Sequence, residues 1–415
     1  MTSPPPPDLD PVDLVLLGAT GFVGRLTAAD LAAHAPAGTR IALAGRSRSK
    51  LGELQRDLGS AAAHWPLVEV DVTDPAGLDR LAATTRVLLS TVGPYARHGL
   101  AVVEACVNHG IDYADLTGET LFARRSIDAF HERAQQTGAR IVHSCGFDSV
   151  PSDLGVGLAA ARADAEEEGT LTETVLHVRE LRGGFSGGTI DSLRQQLIEM
   201  DGDVELRRMA ADPRALAPAD AVPRAGGRKH SGSPLRRDRR TGRWQAPFAM
   251  GGYNRQVVLR SDALHNHRYG DDFTYREAVD TGRGPLGAVA AAAVLAGTTV
   301  LFAGMSTAPT RKLLHQILPA PGEGPSERTL AAGRFAVEVD ATTTTGARYR
   351  TTFSAPHDPG YGGTAVMLAE SGLALLDDDR PDRAAGVLTP MTALGETLAR
   401  RLRERGFVVH TERLP

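Results

Sequence analysis

Cysteine is scarce in this chain: Cys106 and Cys145 are the two among 415 residues. They form no Cys-x-x-Cys pair and no Cys/His ligand spacing, so neither a disulfide framework nor a zinc site is indicated. The histidines, His265 and His267 included, show no ligand spacing either, and no metal is expected. Aromatic residues amount to 5%, which leaves little surface for stacking nucleic-acid bases. A net charge of −4 and a pI of about 6.4 give no overall basic balance, and nucleic acid is not an expected partner. The first residues, Thr2 to Pro11, are proline-rich and acidic, without the basic and apolar segments of a signal peptide. Residues 1–11 are therefore expected to form a disordered tail, and the protein to be cytoplasmic. What is present is the balance of a globular protein, 42% hydrophobic and 23% charged. The length exceeds one ordinary core and implies two domains.

The most informative segment is the apolar run Val12 to Leu17 followed by Gly18-Ala19-Thr20-Gly21-Phe22-Val23-Gly24. Apart from Asp13 the run lacks polar alternation, as in a parallel strand covered on both faces. Gly18 permits a tight turn, Gly21 lets backbone approach a pyrophosphate, and Gly24 allows close helix–strand contact. A helix from Phe22 to Ala33 would aim its unpaired N–H groups at that phosphate. The spacing is a variant of the G-x-G-x-x-G fingerprint, and residues 18–24 are read as the dinucleotide-binding turn. A second strand, Ile41 to Gly45, ends in Arg46 where an NAD site usually carries a carboxylate. Arg46 offers a planar fork for a 2′-phosphate, with Ser47 and Lys50 beside it, so NADPH is favoured over NADH. The bland alternative is a solvated basic turn.

Strands and helices then alternate, implying a doubly wound parallel sheet. Pro66 to Val72 reads as a strand from which Asp71 and Val72 could flank an adenine. Arg86 to Val92 empties into Gly93-Pro94-Tyr95, and Arg140 to Ser144 into Gly146-Phe147-Asp148-Ser149. Ligands in such sheets bind beyond the carboxyl ends of the strands. Val92, Gly93 and Pro94 are accordingly expected at the cofactor. Tyr95 could donate to a developing oxyanion, or be a packing residue or cofactor wall. Asp148 and Ser149 could meet substrate or ribose, and Asp115 and Glu119 could do the same or simply fix their turn.

Several segments resemble the saccharopine dehydrogenase-like oxidoreductases, and more narrowly the trans-acting enoyl reductases. They are the glycine turn, Ala44-Gly45-Arg46-Ser47, Thr91 to Tyr95, Asp112 to Glu119, Cys145 to Asp153, Ser186 to Thr189, Thr342 to Tyr349 and Leu388 to Pro390. The resemblance spans nearly the whole chain after the tail. It implies a Rossmann-type domain of residues 12–151 plus 356–415, interrupted by an α+β domain of residues 152–355 on a mainly antiparallel sheet. It also implies NADPH-dependent reduction of an enoyl intermediate on a polyketide synthase or acyl carrier during lipid synthesis. Within the second domain, Glu173 to Leu181, Gln256 to Ser261, Gly333 to Thr342 and Thr345 to Phe353 read as strands. After it, Ala365 to Leu376 and Thr392 to Arg405 read as helices and Phe407 to Val409 as a strand. A saccharopine-type amino-acid dehydrogenase is the alternative enzyme, with Arg182, Arg194 and Arg255 available for substrate carboxylates. A non-catalytic nucleotide-binding scaffold at a lipid surface is the alternative outside catalysis.

Two stretches stand apart. Leu286 to Met305 carries no charge over a length that could span a bilayer. Burial between domains or in a homodimer interface is the favoured expectation, with peripheral membrane contact or acyl-chain binding next and a true span last. Arg283, Arg311 and Lys312 flank it. Arg224 to Arg243 is rich in arginine among Gly, Ser and Pro, as in a solvated mobile loop or a docking surface for an acidic carrier or lipid. Asp377-Asp378-Asp379 is expected to be a solvated loop.

Overall fold

The computed structural model describes residues 10–183, 187–218, 233–306, 310, 324–377 and 384–415. The expected tail, the arginines at 224–228 with Lys229, Arg311 and Lys312, and Asp378 and Asp379 lie outside or largely outside these ranges.

The first sheet begins with β1 (Val12–Leu17), β2 (Ile41–Gly45), β3 (Leu67–Glu69), β4 (Thr85–Ser90), β5 (Asp112–Asp115) and β6 (Arg140–Val142). The intervening helices are α1 (Phe22–His34), α2 (Arg48–Asp57), α3 (Pro75–Ala82), α4 (Tyr95–His109) and α5 (Thr120–Thr137). A seventh strand, Gly386–Leu388, joins β6, and all neighbours pair in parallel. The order is seventh strand, β6, β5, β4, β1, β2, β3, which is the doubly wound arrangement with its switch point between β1 and β4. Asp13, the polar exception in β1, is half-buried against Arg40. Burial alone would raise its carboxyl, but the Arg40 guanidinium and N–H hold it below the usual carboxylate range.

The second sheet comprises β7 (Leu171–Arg182), β8 (Arg236–Arg237), β9 (Arg243–Pro247), β10 (Thr274–Arg283), β11 (Arg334–Thr343) and β12 (Arg348–Ala355), with the strand Val408–Leu414 at its edge. Its pairs are antiparallel except β7 with β10. The strand Val408–Leu414 pairs with β12, so the last residues belong to this sheet and not to the first, as the sequence had suggested for 356–415. The helix Thr364–Asp377 packs on α1, β4 and β5 of the first sheet. α6 (Val150–Ala165) starts on the loop after β6 and packs against β11 and β12.

Gln256 to Ser261 is helical, not a strand. It lies within α9 (Gly251–Leu264), whose buried Tyr253, Val257 and Ser261 recur at four-residue spacing. The short run Gln-Val-Val-Leu has β-branched composition, and a run of that length cannot distinguish the two states by itself. Arg236 to Arg243 form the β8–β9 hairpin rather than a mobile loop.

A buried junction ties these parts together at Asp153 in the first turn of α6. Its carboxylate accepts the Met391 N–H at 2.8 Å and the Ser261 hydroxyl of α9. Burial pushes this carboxyl up to about 6 from 3.8, against the lowering effect of those donors. The unfolded chain ionises the group first, so the native state holds the extra proton between these values. Its contribution to stability therefore falls as pH rises through that interval, by about 3 kcal/mol. Asp153→Asn is expected to flatten the dependence of unfolding free energy on pH in this window. Urea titrations at stepped pH read it, and an unchanged slope would remove Asp153 as the source.

Candidate functional site

The glycine turn is built on close backbone approach. Gly18 has φ +84°, and a Cβ there would lie 2.7 Å from the Thr91 hydroxyl and 2.9 Å from Val92. A Cβ on Gly24 would lie 2.3 Å from the Gly18 carbonyl oxygen, whereas one on Gly21 would lie 3.3 Å from it. The Gly18 carbonyl accepts the Gly21 N–H at 3.0 Å and the Thr91 hydroxyl at 3.0 Å. No side chain caps α1, so its first N–H groups face outward beside an exposed Gly21. Ala19 is buried, a Cβ on Gly45 would lie 3.8 Å from the Thr20 hydroxyl, and Phe22 packs edge-to-face on Tyr361 with ring centres 4.8 Å apart. This cradle fits a dinucleotide pyrophosphate, because a side chain at Gly24 would fill the turn itself.

At the end of β2, Arg46 and Lys50 are exposed, while Ser47 caps α2 by accepting the Lys50 N–H at 3.4 Å. Asp71 lies just past β3. Its carboxylate takes the Thr73 N–H at 2.9 Å and hydroxyl at 2.8 Å, and with Arg46 and His98 nearby it sits below the usual range. Burial, then Arg97 and Arg46, keep His98 below the ordinary imidazole value. Val72 is buried next to Asp71.

Beyond these residues opens a cavity of about 340 Å³. Val23, Gly93, Tyr95, Asp148 and Ser149 line it, so three of the expected loops converge there. The remaining expected cofactor residues, Arg46, Ser47, Lys50, Asp71, Val72, Val92 and Pro94 among them, are outside its walls. The opposite wall comes from α7 (Gly187–Glu199), α8 (Val204–Ala211), α9 and α10 (Gly284–Ser306). Among the lining residues Asp148 alone is charged. Arg182, Arg194 and Arg255 are not in the lining; Arg182 pairs with Glu180 and Arg194 with Asp191. No carboxylate clamp of the kind needed by an amino-acid substrate forms from them.

Tyr95 does not present a free hydroxyl. Its O–H donates to the Ser90 carbonyl at 3.0 Å and accepts the Leu116 N–H at 3.2 Å. Burial, with Asp115 nearby, holds this phenol well above its ordinary value. The expected oxyanion donor is thus a wall of the cavity. Glu119 fixes its turn: its carboxylate accepts the Tyr95 and Ala96 N–H groups at 2.9 and 2.7 Å, capping α4 from another loop. Ser149 is buried and donates to Asn254 of α9 at 3.0 Å.

Ser144 and Tyr253 were not anticipated as site residues. Both line the cavity, with Ser144 Oγ and Tyr253 Oη 2.6 Å apart and Ser144 also donating to the Thr117 carbonyl at 2.8 Å. Ser144 has φ +68°, a left-handed conformation that costs a non-glycine residue roughly 1–3 kcal/mol. Nothing in the sequence marks that backbone geometry. Tyr253 lies in the first turn of α9, ahead of the Gln256–Ser261 segment that reads as a strand, and Leu301, Phe302 and Met305 of α10 read only as part of an apolar run.

The saccharopine dehydrogenase NADP binding domain, as a family, matches residues 14–142. Saccharopine dehydrogenase (L-Glu forming) from Saccharomyces cerevisiae aligns over 97% of this chain and all of its own (100%), with TM-score 0.56 and 15% identity. That level of likeness establishes a shared fold. The glycine turn, the family match and this fold define a Rossmann-type domain with a dinucleotide-binding turn. A trans-acting enoyl reductase of Mycobacterium tuberculosis (strain ATCC 25618 / H37Rv) is 43% identical over 414 residues, 97% of this chain and 98% of the relative. That of Mycobacterium leprae (strain TN) is 42% identical over 418 residues, covering 98% and 99%. The chain belongs to the trans-acting enoyl reductase family of saccharopine dehydrogenase-like oxidoreductases.

The contrast between two glycines is testable. Gly24→Ala is expected to lower stability by about 1–3 kcal/mol, since the new methyl meets unyielding backbone. Gly21→Ala should cost less than Gly24→Ala in the same thermal melts. Equal losses would mean that close helix–strand contact is not what Gly24 provides.

Proposed function

We propose that this chain reduces the carbon–carbon double bond of an enoyl thioester carried by an acyl carrier of a separate polyketide synthase, in lipid assembly, with NADPH as donor. The observation that carries the reading is a cavity whose single charged lining residue is Asp148, walled on one side by the cofactor loops and on the other by apolar α10. Such a wall suits an uncharged acyl chain and offers no cationic partner to a substrate dicarboxylate. Bound NADPH would supply the hydride.

Gly18, Ala19, Thr20, Gly21, Phe22, Val23 and Gly24 would hold the pyrophosphate, through backbone N–H groups at the start of α1. Arg46, with Ser47 and Lys50, would take the 2′-phosphate, and Asp71 and Val72 would border the adenine. Val92, Gly93 and Pro94 would border the nicotinamide end, with Asp148 and Ser149 across the cavity. Reduction at the β-carbon places charge on the thioester oxygen and requires a donor there, then a proton at the α-carbon. Tyr253 is the group assigned to that work. In the resting arrangement Ser144 donates to Thr117 and Tyr253 donates to Ser144. Rotating both hydroxyls lets Ser144 donate to Tyr253 and frees the Tyr253 proton for the cavity. Burial holds this phenol above its ordinary value, so it remains protonated across neutral pH.

Arg46→Ala is expected to raise the NADPH dissociation constant roughly tenfold to a hundredfold while leaving that for NADH nearly unchanged, read by quenching of nicotinamide fluorescence. Equal loss for both cofactors would assign Arg46 to the turn and not to the phosphate. Tyr253→Phe is expected to lower kcat on an enoyl thioester by roughly a hundredfold or more with NADPH binding retained. Full turnover in that variant would return the proton donor to another group.

A further inference from the structure

Within this chain α10 is mostly open, so the expected burial between domains is not what covers it. From Gly284 to Met305 it runs 22 residues without a charge, about 33 Å of helix. Leu286 is 84%, Val289 67% and Val300 70% exposed. Its first turn is fastened to the second sheet: the Thr281 hydroxyl donates to the Gly287 carbonyl at 2.8 Å, and a Cβ on Gly287 would lie 3.3 Å from the Trp244 ring. The helix therefore lies along the protein, with an apolar face left open.

Basic residues gather at the fastened end. Arg236, Arg237, Arg239, Arg240 and Arg243 occupy the β8–β9 hairpin, and Arg243 stands directly opposite Arg283 across the β9–β10 pair. Like charges so placed repel. None of the six arginines forms an ion pair with a described residue. The hairpin's own carboxylate, Asp238, accepts the backbone N–H groups of Arg240 and Thr241 instead. The surface thus joins a long apolar strip to an unneutralised cationic cluster, with the half-buried indole of Trp244 between them.

We infer that α10 and the β8–β9 hairpin form a docking surface for an anionic lipid bilayer. The apolar face sinks into the headgroup–acyl boundary while the arginines and Trp244 sit among the headgroups. A second copy of the chain fits the patch less well, because a twofold contact presents it with its own arginines and no surplus of carboxylates. An acidic carrier protein would satisfy the arginines but leave the 33 Å apolar strip uncovered. The far end of α10 supplies Leu301, Phe302 and Met305 to the cavity wall. Docking in this way brings the cavity against the acyl region of the bilayer, so the substrate class is a long, membrane-partitioned acyl chain. That last step rests on the reductase reading above, whereas docking itself does not.

Flotation of the full chain with vesicles tests it, using phosphatidylcholine alone or mixed with phosphatidylglycerol, at low and high salt. Binding is expected to be at least roughly tenfold stronger to the anionic vesicles and to weaken with salt. Val289→Glu with Val300→Glu, and separately Arg239→Glu with Arg240→Glu, should each reduce binding by roughly tenfold or more while NADPH binding stays unchanged. Absence of vesicle binding overturns the inference. So does a dimer in sedimentation velocity that Val289→Glu dissociates, or vesicle binding insensitive to Val289→Glu. Reduction of a short, soluble enoyl thioester by these variants is read in parallel, so that a failed reductase and a failed docking surface give different results.

Discussion

The carboxylate of Asp115 is the point on which the site depends. It stands at the end of β5, fully buried, and takes four donors: the Thr117 N–H at 3.0 Å, the Ser144 N–H at 3.1 Å, the Tyr113 hydroxyl at 3.1 Å and the His143 ring at 2.7 Å. A buried charge is tolerable only when it is satisfied in this way. The same four bonds fix the loops leaving β5 and β6. They hold Ser144 in its left-handed conformation and so aim its hydroxyl at Tyr253. The ring of His143 is itself held at its other nitrogen by Ser126 of α5, at 2.8 Å. Of the two readings open for Asp115 in the sequence, contact with a ligand or fixing its turn, these bonds are those of the second.

From this node the support spreads through further buried polar contacts. Glu119 caps α4 and takes the Ser192 hydroxyl of α7 at 2.6 Å, joining a loop of the first sheet to the opposite cavity wall. Ser149 bonds Asn254, Asn254 bonds Glu277 of β10, and Glu277 accepts from Ser152 of α6, closing a circuit between the two sheets. Burial raises the Glu277 carboxyl, against three hydrogen bonds that lower it. Each of these groups is expensive to bury alone and inexpensive as a member of the circuit. The cavity therefore sits at a junction whose geometry is set by direction-sensitive bonds and not only by apolar packing.

The first sheet was legible because its signals are local. An unbroken apolar strand, a glycine turn and an alternation of periods identify β1, α1 and β2 without knowledge of partners. Boundaries are less legible where capping comes from elsewhere: α4 starts at Tyr95 because Glu119, from another loop, supplies the acceptors its first turn needs. The second sheet was legible for β11 and β12, which alternate cleanly, and for β7, whose β-rich run is buried on both faces in its middle. β10 went unread, and so did the return of Val408–Leu414 to this sheet, because pairing with β7 and β12 is a long-range choice. Of the site residues, the backbone-built ones could be read and the hydroxyl pair could not. Ser144 and Tyr253 are 109 residues apart, and only the folded chain brings them to 2.6 Å.

That division has a chemical basis. A dinucleotide is recognised largely by what side chains leave out, so glycines at fixed spacing announce it. An acyl chain is recognised by what side chains fill in, and apolar residues on α8, α9 and α10 resemble those of any core until one end of a helix is found open to solvent. The exposure of Leu286, Val289 and Val300, on the same helix that gives Leu301 and Phe302 to the cavity wall, sets α10 apart from a core helix. A helix serving only as core would bury its leucines and valines on every face the fold could cover. Keeping them outside while Arg243 and Arg283 face each other unneutralised is costly in two ways at once. Both costs fall away together against a surface that is apolar within and anionic at its boundary.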